Sequence, residues 1–131
     1  MLSLGTAFIF KAIKSHLWIV ITEPDPSDYA SLIVNITTLK ETTIDDSCLL
    51  YPDDFPEFIK DKSAVFYIDA HLLKPEHLSH VIVKGKVEKD VVLRIQQGGL
   101  KSDYLEPIFR QRIHVCIGRL QGSGKIDNRG S

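Results

Sequence analysis

The sequence predicts a mostly β domain with a C-terminal helix: a small, strongly curved antiparallel sheet followed by one or two α-helices. Three observations carry that expectation. Short runs rich in β-branched and aromatic residues fill the first half and are separated by Pro, Asp and Lys. Two segments dense in prolines and acids, residues 23–28 and 51–56, interrupt those runs as turns do. Past Ile68 the apolar spacing changes, and helical periodicity takes over toward the C-terminus.

Taken in order, residues 6–13, 17–22, 32–37, 47–50 and 64–68 read as strands. The turn at residues 23–28 joins the second and third as a hairpin, and the chain after Pro56 is expected to cross the surface before Ala64. Lys74-Pro75-Glu76-His77-Leu78 looks like a loop entering a short helical turn. Residues 88–97 form a helix, with Val91, Val92 and Ile95 on one face and Gly98-Gly99 as its stop. A further helix runs from Asp103, with Leu105, Ile108, Phe109, Ile113 and Cys116 on its apolar face and Pro107 in its first turn. The expected organisation is one domain over residues 1–117 and a flexible polar tail over residues 118–131. An SH3-like barrel is the smallest arrangement that fits these strands.

Bulk properties narrow the function. The 131 residues are 44% hydrophobic and 25% charged, enough for one domain with a real core. Sixteen basic residues against 17 acidic ones leave a formal net charge of −1, so any nucleic-acid contact must come from a local patch. Cys48 and Cys116 sit in apolar stretches without CxxC spacing and read as buried thiols. His71, His77 and His80 span a proline-containing loop with no Asp or Cys to complete a ligand set, so no metal and no cofactor is expected. The apolar run 7–10 is too short to span a bilayer and has no signal-peptide flanks; no membrane association and a cytoplasmic location are expected. Adjacent acids Asp45-Asp46 and Asp53-Asp54 read as solvated turn residues, and Arg110, Arg112 and Arg119 as a solvated helix face.

The hairpin supplies the chemistry. If it turns between Pro26 and Ser27, Leu17 faces Ile36, Ile19 faces Val34 and Ile21 faces Leu32. The same register sets Trp18 against Asn35 and His16 against Thr37. An imidazole, which titrates near neutrality in general, then meets a hydroxyl at one mouth of the sheet.

At this point the chain resembles the PemK/MazF-type ribonuclease toxins of bacterial toxin–antitoxin pairs. Gly5-Thr6-Ala7-Phe8-Ile9-Phe10 is similar to the family's first strand. Ser15-His16-Leu17-Trp18-Ile19-Val20-Ile21 stands where its second strand opens, with His16 and Leu17 replacing an Arg-Pro step, and the connection from Phe10 to His16 is shorter than the usual first loop. Val34-Asn35-Ile36-Thr37-Thr38 matches the end of the third strand. Residues 63–70, with Leu73, Pro75 and Leu78, resemble the strand and turn before the family's C-terminal helix. The resemblance implies an SH3-like barrel that cleaves single-stranded RNA without a metal, pairs as a homodimer and is neutralised by an antitoxin protein. It implies His16 and Thr37 as catalytic residues, and Lys11, Lys14, Thr38 and Trp18 as RNA contacts. The competing reading is a non-catalytic SH3-like module that binds a protein segment or nucleic acid.

Overall fold

A computed structural model describes residues 1–13 and 16–129. Six strands form one antiparallel sheet: β1 (Thr6–Phe10), β2 (Leu17–Val20), β3 (Ser31–Thr38), β4 (Leu49–Leu50), β5 (Ser63–Leu73) and β6 (Val81–Lys86). Two helices, α1 (Lys89–Lys101) and α2 (Pro107–Arg129), follow. Across the sheet the order is β4-β5-β3-β2-β1-β6, so the two edges are the shortest strand and the last one. The sheet curls until the edges approach: the Phe55 ring, just past β4, packs on Gly85 of β6, where an added Cβ would lie 2.9 Å from the ring. The result is a curled half-barrel, mostly β, with both helices near the C-terminus.

The central hairpin pairs as its sequence requires. Leu17 faces Ile36, Trp18 faces Asn35, Ile19 faces Val34, and the Ile21 N–H donates to the Leu32 carbonyl at 2.9 Å. The turn is shaped by its acids: Asp25 Oδ1 accepts from the Ser27 N–H and hydroxyl, Asp28 Oδ1 accepts from the Ala30 N–H, and Tyr29 takes a left-handed φ of 57°. One face of the sheet (Ala7, Leu17, Ile19, Val34, Tyr67) packs under Val91, Val92 and Ile95 of α1 and Ile113 of α2. The other face carries a smaller cluster of Phe8, Trp18, Val20, Ile33 and Leu73, closed by Leu2, Leu78 and Val81. Burial on both sides is why β1 and β2 read as continuous apolar runs rather than as alternation.

Several expectations are corrected. The first strand ends at Phe10, not at residue 13; the Lys11 N–H still donates to the His80 carbonyl at 2.8 Å, one step past the Phe10–Val81 pair, and the pairing with β6 goes no further. Strand β5 reaches Leu73, past the expected end at Ile68, through an irregularity opposite Val34 that breaks the two-residue alternation. Strand β6 went unread in the sequence; its residues are half-buried or exposed and give no strong periodic signal. The chain after Pro56 does not simply cross the surface, since Phe55 and Ile59 are buried in the main core. Gly98 and Gly99 do not stop α1. They are buried inside it and let the helix settle on Tyr67 and Cys48 on one side and Ile113 on the other.

Helix α2 begins at Pro107, with the Glu106 carbonyl accepting from Phe109 and Arg110, rather than at Asp103. Its apolar face keeps Ile113 and Cys116, while Ile108 stays 67% exposed. It continues to Arg129 across most of the segment read as a flexible polar tail, whose last two residues, 130 and 131, lie outside the described residues.

Charged groups expected to be solvated instead tie elements together. Asp45 is buried and accepts from the hydroxyls of Ser47 and Ser102, both at 2.6 Å. Arg112 of α2 reaches back to Asp28 and to the Ala30 carbonyl, pinning the hairpin turn, and Arg110 donates to the Ser102 carbonyl. Arg94 of α1 holds Asp54 at 2.7 Å and the Leu49 carbonyl at 2.9 Å. Burial opposes ionisation of Asp54, but the Arg94 hydrogen bond, the Tyr51 N–H and the Arg94 charge outweigh it and hold the carboxyl below its ordinary range. A carboxyl with a lowered folded-state pKa adds stability above its unfolded pKa of about 3.9 and loses it as pH falls through the folded value. Asp54→Asn is therefore expected to cost on the order of 1 kcal/mol at neutral pH. That difference should close as the medium is acidified, as urea titrations at several pH values will check; a pH-independent gap would refute the pair's role.

Candidate functional site

His16 precedes β2 by one residue and Thr37 is the second-last residue of β3, so both stand at the same end of the central hairpin. Together they line an open cleft of about 320 Å³. The cleft's other wall comes from the chain entering β5. Thr38 pairs with Ser63, and the Leu39 N–H donates to the Lys62 carbonyl at 2.9 Å, which extends the β3–β5 ladder past its formal end. That ladder carries Phe58, Lys60 and Asp61 to the cleft, opposite His16 and Thr37. The floor is apolar, made by Leu17, Ile36 and the buried Ile59.

The side chains around this floor divide by what they are already doing. The Ser63 hydroxyl is buried and donates to the Asp61 carbonyl at 2.8 Å, so it braces the wall. Lys60 Nζ donates to the Pro56 carbonyl at 3.1 Å, which holds its ammonium near the cleft while leaving two of its three protons for other acceptors. Lys40 lies on the exposed rim. Phe58 stacks on Phe55 with ring centres 6.4 Å apart and an 8° tilt, and 37% of it remains open to solvent. His16, two threonines, two lysines and Phe58 thus line one opening, with Asp61 the one acidic residue among its described lining residues. Such a set can hold a phosphate by charge and move a proton next to it.

The other residues singled out in the sequence lie elsewhere. Thr38 lines the cleft and is exposed. Lys11 lines a second cleft beside His71, His77 and His80. Lys14 lies outside the described residues. Trp18 is only 7% exposed, packed edge-on to Phe10 at 5.7 Å and tilted against His71, so it supports the sheet and offers no open face to a base. The ring that lines the cleft is Phe58. It was missed, together with Lys40, Lys60 and Asp61, because these residues fall in segments without periodicity. The signal that finds them is the β3–β5 pairing, which obliges residues leaving β3 to lie beside residues entering β5.

Cys48 and Cys116 are buried and unbridged, and burial pushes both thiols up, away from reactive thiolate. Among the described residues, no group of three or more His, Cys, Asp or Glu side chains converges as a metal would need. No described helix is long and apolar enough to cross a membrane. No family model, curated protein or solved structure matches the chain.

Proposed function

We propose that the chain is a toxin-like endoribonuclease of the PemK/MazF type, with an SH3-like barrel that cleaves single-stranded RNA without a metal. The observation that carries this reading is that His16 and Thr37, from the same end of one hairpin, line a single open cleft together with Lys40 and Lys60. The ribose 2′-hydroxyl attacks the adjacent 3′-phosphate, forming the P–O2′ bond and breaking the P–O5′ bond. His16 takes the 2′ proton and the imidazolium returns one to the departing 5′ oxygen. Thr37 donates to a phosphorane oxygen, and the two lysines balance its charge. The products are a 2′,3′-cyclic phosphate and a 5′-hydroxyl, and the substrate itself supplies the nucleophile.

His16 stands where the family carries arginine. An imidazole moves protons well but clamps phosphate less firmly than a guanidinium, and Lys60 fits the missing clamp. An antitoxin protein covering the cleft and a cytoplasmic location belong to the same proposal. So does a homodimer, supported by Ile108 and Val115, which stand seven residues apart on α2 and are 67% and 37% exposed. Light scattering that finds only monomer at tens of micromolar, about the range of weak association, would remove the dimer.

Incubation with a mixed RNA pool in EDTA, followed by mapping of the new ends, tests the reaction. Cleavage with cyclic-phosphate ends is expected, and His16→Ala and Thr37→Ala should each lower its rate by about 10²–10⁴-fold with an unchanged circular-dichroism spectrum. A His16→Ala protein as fast as its parent would overturn the mechanism. The formal charge of −1 favours a second reading, a non-catalytic module that binds a protein segment or nucleic acid. Retention of RNA with no new ends is its signature.

A further inference from the structure

A second cleft, of about 690 Å³, opens where β1 ends and β5 gives way to the turn before β6. Its size is in the range of about 300–1,000 Å³ that small-molecule sites occupy. Lys11, Lys74, His71, His77 and His80 line it, and among the described residues no carboxylate does. Between them lies an apolar floor that includes Phe10, Ile33 and Leu72. None of these residues lines the His16 cleft.

Two features make this more than a solvated basic face. The two lysines stand beside an apolar floor that no described carboxylate lines, an arrangement that favours an anion, with the Asp28 carboxylate the counter-charge that Lys74 feels from outside the cleft. The surroundings are also fixed in place. Phe10 is held edge-on by Phe8 at 5.4 Å and by Trp18 at 5.7 Å, and the His71 ring rests against Trp18 at 5.7 Å. His77 Nδ1 accepts from the Lys74 backbone N–H at 3.0 Å. That hydrogen bond ties the His77 ring to the Lys74 backbone. A ligand meets two lysines and three histidines around a partly aromatic floor.

We propose that this cleft binds a phosphate ester carried on a flat apolar body, the chemistry of a nucleotide, with the phosphate between Lys11 and Lys74 and the body on Phe10. The ligand's source is either a small nucleotide in solution or one nucleotide unit of a nucleic-acid strand. The site shares no lining residue with the His16 cleft, and it gives Lys11, which the family resemblance makes an RNA contact, a place in a different cleft.

Calorimetric titration of the full chain with adenosine 5′-monophosphate, adenosine, inorganic phosphate and the dinucleotide ApA tests it. The monophosphate should bind about tenfold or more tightly than adenosine or phosphate alone, since each part lacks half of the contacts. Lys11→Ala and Lys74→Ala remove exposed side chains that no core contact needs, and each should weaken binding about tenfold. Lys101→Ala, the same charge removed from the end of α1, should leave it unchanged. Tighter binding of the monophosphate than of ApA identifies a free nucleotide as the source, and the reverse order identifies a strand. Monophosphate binding no tighter than that of phosphate, or undiminished in a folded Lys11→Ala/Lys74→Ala protein, overturns the proposal.

Discussion

Ile19→Asp is expected to unfold the protein or to lower its stability by about 3 kcal/mol or more. Ile19 has no exposed surface, and its neighbours across the sheet are Ala7 on β1 and Val34 on β3. It shares its cluster with Leu17, Tyr67 and Ile95, so a carboxylate there finds apolar groups on every side. It must either ionise in a medium that solvates it poorly or take up a proton at neutral pH, and both routes weaken the folded state. Val83→Asp is the matched control. Val83 is 54% exposed on the edge strand β6, and the same substitution there should change stability by no more than about 0.5 kcal/mol. Urea denaturation of the two variants reads the contrast. Equal costs at both positions would mean that the β2 face does not pack against the helices.

That pair of positions also shows how far the sequence was legible. The register of β2 against β3 could be read because a proline-rich turn fixed its centre and that alignment sets Leu17 against Ile36 and Ile19 against Val34, apolar on apolar. His16 and Thr37 followed from the same alignment. Strand β6 could not be read in this way. Its pairing with β1 is interrupted between Ala7 and Phe8, and its side chains are half in and half out of solvent. The far wall of the cleft was hidden for a different reason: Phe58, Lys60 and Asp61 are brought to His16 by long-range pairing, and no local pattern records that. Asp45 and Asp54 look like ordinary turn acids until Ser102 and Arg94, far along the chain, are seen to reach them. Buried polar ties of this kind are a property of the assembled fold.

One of those ties braces a wall of the cleft. Its wall leaves the main core at Phe55 and Ile59, both buried, and returns to the sheet at Ser63. Asp54, next to Phe55, is anchored to α1 through Arg94. The wall that carries Phe58 and Lys60 is thus tied to α1 on one side and to the sheet on the other.

Gly98→Ala should destabilise the protein by about 2 kcal/mol, although alanine is the better helix former by about 1 kcal/mol. The reason is space. A Cβ on Gly98 would lie 2.5 Å from the Tyr67 hydroxyl oxygen, 2.6 Å from Cys48 Cβ and 3.0 Å from the Ser47 carbonyl oxygen. None of the three can give way cheaply. The Tyr67 hydroxyl donates to the Ile95 carbonyl at 2.6 Å in a buried setting, and moving it strands both partners. Cys48 and Ser47 lead into β4, whose two residues pair with β5, so a shift there strains the edge of the sheet. Gly118, in α2, has nothing within 4 Å of the same added atom. Gly118→Ala should therefore gain up to about 1 kcal/mol from helix propensity alone. One substitution made at two helical glycines is expected to move the urea midpoint in opposite directions. A Gly98→Ala protein as stable as its parent would show that α1 does not sit as closely on Tyr67 and Cys48 as described.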